Sequence, residues 1–208
     1  MAVAGVEKLD PKKSLKALYA PSGKPAVVDV PPLNYLMVDG VGDPNIAPSY
    51  VAAVEALYGV SYTVKFTVKR SAKPLDYTVM PLEGLWWADD MQAFALGDRS
   101  KWRWTMMILQ PDFITPAQVH AAIAACRQKK PSPALDLLRF EQFSEGRAAQ
   151  LMHIGPYVAE TENIQRLHAF IANQGGRLSG KHHEIYLSDP RRAAPEKLKT
   201  IIRQPFVG

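Results

Sequence analysis

The chain has 208 residues, with 25 Lys and Arg, 20 Asp and Glu, a single Cys, 17 Pro and 47% hydrophobic content. That composition excludes a disordered or collagen-like chain and provides for a sizeable core without disulfides or a structural metal. Cys126 has no internal partner, no apolar run approaches the roughly 18 residues of a membrane span, and the start lacks the apolar core of a signal peptide, so a cytoplasmic, membrane-free protein is expected. The net charge of +5 is scattered, with no run longer than two positives, as at Lys12–Lys13 and Arg191–Arg192. Stable nucleic-acid binding draws on clustered charge and is not expected.

Residues 1–25, including DPKKSLKALYAPSGKP, read as an extended or loosely helical lead-in rather than a core element, and 26–208 as one domain. Ala26 to Val41 reads as a strand, a Pro31–Pro32 break and a second strand through Tyr35–Val38, closed by DGVGDP. Tyr50, Val51, Val54, Leu57 and Tyr58 recur at helical spacing, predicting a helix over about 49–70 with Ser49 as N-cap and a break at Gly59; Tyr58, Tyr62 and Phe66 read as core. Strands follow at Tyr77–Met80, Leu85–Ala88 and Trp102–Leu109, with hairpin turns at Pro81–Gly84 and around Gly97–Asp98. Thr115 and Pro116 open a second helix with Val119, Ile123 and Cys126 on one face. Leu137–Phe143, a turn at Glu145–Gly146 and Ala148–Ile154 come next, with His153 as a hydrogen-bonded strand histidine. Ile164 to Ile171 form an amphipathic helix stopped at Gly175–Gly176, and strands at Glu184–Leu187 and Lys199–Phe206 finish the chain.

The two halves, about 26–110 and 111–208, show a weak repeat. YLMVDGVGDP at 35–44 resembles QLMHIGPY at 150–157, and EGLWW holds the place in the first half that EIYL holds in the second. The fold expected is α+β, with duplicated βαββ units about a pseudo-twofold axis, antiparallel sheets with helices on one side, and a central ligand cleft between the halves.

Nucleotide-binding glycine loops, GxSxG and HExxH are absent, and the one adjacent histidine pair, His182–His183, points to opposite faces of a strand; neither metal nor cofactor is expected. In HHEIYLSDP the alternation places Glu184 and Tyr186 together, with His183, Ile185 and Leu187 opposite. EGLWW groups Glu83, Leu85 and Trp87 against Gly84 and Trp86, so one tryptophan is buried in packing and the other faces the cleft; matching the repeats selects Trp87 as the counterpart of Tyr186. Glu83 mirrors Glu184 or ends a hairpin in water. From residue types alone these aromatics read first as core or sheet filling and Glu184 as a salt-bridged strand residue.

LNYLMVDGVGDP, PLEGLWW, KWRWTMMILQPDF, HIGPY and HHEIYLSDPRR together resemble the GyrI-like small-molecule-binding domain family, in its stand-alone bacterial subgroup, over roughly residues 25–207. The resemblance implies a duplicated βαββ fold with an aromatic-lined cavity for flat hydrophobic or cationic compounds and a pocket glutamate at the position of Glu184. It further implies, by similarity to cyclopropanoid cyclopropyl hydrolases, a detoxifying activity that opens the cyclopropane of DNA-alkylating natural products without a cofactor. On that reading Glu184, with a pKa raised by its apolar cavity, is the general base, Tyr157 and Tyr186 donate hydrogen bonds to the developing oxyanion, and Trp87 and Trp86 stack on the substrate, with Glu83 nearby. The alternatives are a non-catalytic module that sequesters or senses drugs and an interaction protein of the gyrase-inhibitor kind. Oligomeric state is left open by the sequence.

Overall fold

The computed structural model describes residues 8–89 and 98–208. Eight strands lie in the order β2-β8-β11-β10-β5-β6-β3-β7, every neighbouring pair antiparallel. They are β2 (Ala26–Val30), β3 (Leu33–Val41), β5 (Leu82–Trp87), β6 (Arg103–Gln110), β7 (Arg139–Phe143), β8 (Gly146–Ile154), β10 (His182–Tyr186) and β11 (Lys199–Val207). A short β9 (Arg177–Leu178) pairs with the end of β11, and β1 (Lys8–Leu9) pairs in parallel with β4 (Asp76–Tyr77) outside this sheet. The fold is α+β, and its strand order reads alike from either edge: a long first strand (β3 or β8), a helix, then two strands that end at the sheet centre. β2 and β7 each pair with the long strand of the other half.

The helices are α1 (Pro11–Ser14), α2 (Lys16–Tyr19), α3 (Pro48–Lys69), α4 (Pro116–Lys129), α5 (Ala134–Leu137) and α6 (Thr161–Asn173). Ala47 rather than Ser49 is the N-cap of α3, because Pro48 takes the first helical position where its missing N–H costs nothing. The helix runs unbroken through Gly59; its sheet-facing stripe of Ala53, Leu57, Val60, Val64 and Val68 is buried and outweighs the propensity cost of one glycine. Thr115 forms the expected cap, and Gln118 closes it into a capping box. The hairpin turn expected at Pro81–Gly84 is instead strand β5, which pairs on both sides with β6 and β10. Tyr77 belongs to β4, outside the large sheet, and the turn expected around Gly97–Asp98 lies partly outside the described residues.

Directly opposed residues in an antiparallel pair share a face. Leu151 opposes Ile202, Ile202 opposes Glu184, and Glu184 opposes Gly84. Leu151 and Ile202 pack with Leu167 and Ile171 of α6, while Tyr50 of α3 meets Trp86 and Trp104 on the same side. Helices α3 and α6 therefore cover one face, and Glu184, Tyr186, His182 and Trp86 lie on that side of the sheet. On the reverse face lie α1 and α2. Leu18 and Tyr19 are buried there and join the main core, correcting the reading of this segment as a lead-in without core residues.

Tyr62 and Phe66 also depart from expectation: they are 45% and 44% exposed. They sit on the flank of α3 turned away from the sheet, and the alanine, leucine and valine stripe supplies the core in their place. His153 is buried and tied to Asn163 and to the Pro156 carbonyl, as a strand histidine with hydrogen bonds at both ring nitrogens.

Candidate functional site

The site is built on β10 and β5 at the sheet centre. Tyr186 donates its hydroxyl proton to Glu184 Oε2 at 2.7 Å, and Trp86 Nε1 donates to the Tyr186 oxygen at 3.0 Å. His182 Nε2 lies 3.1 Å from Glu184 Oε1, so both carboxylate oxygens are held. Gly84, opposite Glu184, makes this possible: a Cβ there would come within 2.7 Å of Trp86 Nε1, so only a glycine lets the indole lie across β5 and reach Tyr186. Tyr157, after the Gly155–Pro156 corner, meets the Tyr186 ring edge-on at 5.7 Å and is 40% exposed at the mouth. Tyr50 and Trp102 flank Trp86 at 6.2 and 5.8 Å between ring centres. The Glu184 side chain itself is 16% exposed.

A second carboxyl enters from the turn before α6. Glu160 is buried and lies in the electrostatic field of Glu184. Glu160 Oε1 and the Thr200 hydroxyl are buried there without a hydrogen-bond partner among the described residues. Burial, reinforced by the Glu184 charge, pushes Glu160 up to about 9, so it stays a neutral acid at pH 7. Burial also acts upward on Glu184, but hydrogen bonds from His182, Tyr186 and Glu160 outweigh it and hold that carboxyl below the ordinary value. The sequence expectation of a raised Glu184 is thus corrected: the raised carboxyl is its neighbour. Burial likewise raises Tyr157, to about 12.

Of the residues singled out from sequence, Glu184, Tyr186, Trp86 and Tyr157 come together. Trp87 and Glu83 do not. They point to the reverse face because β5 alternates, so Trp86 rather than Trp87 is the partner of Tyr186. Trp87 lies beneath Lys181, whose Nζ is 3.4 Å from the ring centre. Glu83 is neither at a hairpin end nor in water: it is fully buried, accepting from Tyr19 at 2.6 Å and bonded to His183 at 3.0 Å. That histidine in turn meets Glu145 at 3.0 Å, and Arg203 binds Glu145, Gln150 and the Leu18 carbonyl at 2.9 to 3.0 Å. Glu160, His182 and Tyr50 were missed from the sequence. His182 carried a signal, since alternation places it two residues from Glu184 on the same face; Glu160 carried none.

Two surface depressions, of about 330 and 300 Å³, lie away from this cluster, at α4–α5 and between α3 and α4. Neither is lined by paired carboxyls or by a Phe, Tyr or Trp ring. Among the described residues no group of three or more His, Cys, Asp or Glu is arranged to hold a metal ion, and no helix is long and apolar enough to cross a membrane.

Residues 23–206 match the family model described as the GyrI-like small molecule binding domain. The chain belongs to this family. Among solved structures, an uncharacterized conserved protein from Listeria innocua is 42% identical with a TM-score of 0.89, over 96% of this chain and 100% of that one. A hydrolase from the same organism is 40% identical with a TM-score of 0.83 and the same coverage. The C-terminal domain of EcmrR, at 11% identity and a TM-score of 0.56 over 88% of this chain and 97% of that one, shares the fold. No curated protein matches. The GyrI-like assignment makes this a small-molecule-binding domain.

Proposed function

We propose that the protein binds flat, hydrophobic small molecules between α3 and α6 and hydrolyses them, the substrates being genotoxins whose cyclopropane is conjugated to a carbonyl. The observation that carries this reading is the Glu184 carboxylate held by Tyr186 at 2.7 Å and His182 at 3.1 Å, with the Trp86 indole and the Tyr157 ring against Tyr186 and a second buried carboxyl, Glu160, in its electrostatic field. Kinship at 40% identity to a protein named as a hydrolase supports it.

The chemistry follows from the contacts. Water attacks the cyclopropane methylene as its carbon–carbon bond breaks, and the released electron pair moves through the ring system to the carbonyl oxygen, which becomes a phenolate. Glu184 takes the proton from the attacking water. Tyr186, already donating to Glu184 and accepting from Trp86, fixes the carboxylate's orientation. Tyr157, exposed at the mouth and protonated at neutral pH, donates a hydrogen bond to the oxyanion. Glu160 remains protonated and keeps Glu184 ionised. Solvent then removes the proton from Glu184 and neutralises the phenolate, so substrate and water give the ring-opened alcohol with no other reactant.

Incubation with a cyclopropane-bearing duocarmycin-type compound, followed by mass spectrometry, tests this. Wild type should form the water-added product and Glu184→Gln should not. Tight binding with no product from wild type would leave a binding module without hydrolytic function.

A further inference from the structure

The aromatic surface does not end at the cleft. Along α3 the positions four apart from Tyr50 are Val54, Tyr58, Tyr62 and Phe66, and the last three rings form a ladder. Tyr58 and Tyr62 lie 6.3 Å apart at 26°, Tyr62 and Phe66 6.2 Å apart at 24°. A row spaced by four drifts about 40° per step around a helix of 3.6 residues per turn, so it begins under α3 at Tyr50, against Trp86, and climbs outward to the exposed Tyr62 and Phe66. Tyr58 is the hinge of this path. Its hydroxyl lies near the Leu82 backbone at the start of β5 and in the field of Asp189 and Arg191, which follow β10. At the outer end, the Lys65 ammonium and the Arg70 guanidinium stand 5.7 and 6.0 Å from the Phe66 ring centre.

Two near-parallel ring pairs ending in the exposed Tyr62 and Phe66, beside cations and on the same helix as Tyr50, which meets Trp86, make a stacking platform. From Tyr58 to Phe66 the helix rises about 12 Å, the length of a second fused-ring unit. We infer that the ladder Tyr58–Tyr62–Phe66 is a specificity subsite that takes the distal aromatic unit of an elongated ligand whose proximal unit sits over Trp86 and Tyr186. This rests on the cleft being the ligand site. It selects for neutral or acceptor-bearing polyaromatic compounds of at least two linked flat units, because the electropositive outer end disfavours a cationic tail.

The test is calorimetric titration of wild type and of Tyr62→Ala/Phe66→Ala with two probes, indole-2-carboxamide and an amide-linked bis-indole. Both substitutions are on an exposed helix surface where alanine is well accommodated, and circular dichroism with size-exclusion chromatography checks fold and oligomeric state. Wild type should bind the two-unit probe at least 10-fold more tightly than the single-unit probe. The double variant should lose that preference while keeping its affinity for the single unit within about twofold. Single-unit binding with no two-unit preference in wild type overturns the subsite and leaves the cleft standing. A preference that survives in the variant, or a variant that changes oligomeric state, also overturns it, the latter identifying the ladder as a contact between copies. Binding of neither probe overturns the cleft reading and the ladder with it.

Discussion

Strands β5 and β10 carry nearly the same residue types on their two faces, with opposite results. On the helix side Glu184 meets His182, Tyr186, Trp86 and a second carboxyl, Glu160. Facing the other way, Glu83 and Glu145 meet His183, Tyr19 and Arg203. Two carboxyls there face His183 and a guanidinium, the cluster is sealed beneath α2, and two of its members are pushed toward their charged forms: Glu145 to about 2, where the His183 and Arg203 charges outweigh burial, and His183 up to about 9, where the Glu145 and Glu83 contacts outweigh burial. On the helix side the second carboxyl has no guanidinium to match it, and a proton fills that role instead. Residue type alone therefore does not separate a sealed, charge-balanced cluster from one whose second carboxyl lacks a cationic partner; charge balance and burial do.

Breaking the sealed cluster should have the largest effect. Arg203→Met leaves buried carboxyls facing His183 alone, and removing one partner of a buried ion pair costs about 3–5 kcal/mol. Its urea midpoint should fall by the corresponding amount, or the protein should fail to fold. Glu184→Gln should do the converse, with a midpoint close to wild type, since the amide keeps the shape, but turnover lowered about 10²–10⁴-fold. Equal loss of stability in both variants would erase the distinction between the faces.

The two clusters should also titrate differently. Glu145 is lowered, so its stabilisation is complete above its unfolded value of 4.5 and is lost as pH falls toward about 2. His183 is raised, so its share is complete below 6.5 and is lost as pH rises through about 9. Both describe one ion pair and are not added; a shift of this size corresponds to about 3 kcal/mol. On that pair alone urea midpoints would be highest between about pH 4.5 and 6.5, and loss of the Glu160 contribution above pH 4.5 moves the maximum to the acid end of that window. Glu160 is a raised acid, whose contribution is present below 4.5 and lost through about 9, so Glu160→Gln should soften the alkaline decline and leave the acid limb unchanged. Activity of wild type should fall above about pH 9, as two carboxylates come to face each other, and that limb should move out in Glu160→Gln. A pH–rate profile identical in both would remove Glu160 from the site.

Much of this architecture was legible in the chain. Period-two alternation in HHEIYL and EGLWW assigns the faces of Glu184, Tyr186, Trp86 and Glu83 correctly, and helical spacing marks α3. Judging which face holds the cleft was a different matter, because matching the repeats by position paired Trp87 with Tyr186, whereas pairing across the sheet sets His182 opposite Trp86 and Tyr186 opposite Leu82. Glu160 was invisible for a related reason: it stands in a turn before a helix, where acidic residues are common, and only the packing of α6 on β11 brings it to Glu184. The burial of Tyr19 depends on a contact 64 residues distant, with Glu83, which local composition does not encode.

Gly84→Ala should give the smallest effect and the finest discrimination between the faces. The added methyl would meet Trp86 Nε1 at 2.7 Å and Met106 Sδ at 3.2 Å, both on the helix side, while the Glu83 and His183 contacts point the other way. The indole must swing off Tyr186, removing one neutral hydrogen bond of about 1 kcal/mol. Tyr186 keeps its bond to Glu184 but loses the donor that fixes its hydroxyl, so kcat/KM should drop several-fold, with the urea midpoint lowered by that bond and the overpacking of the buried indole, about 1–3 kcal/mol and less than for Arg203→Met. A loss of stability as large as that of Arg203→Met would mean that the two clusters are one cooperative unit through the sheet, and that the helix-side site is held from behind by the charges sealed under α2.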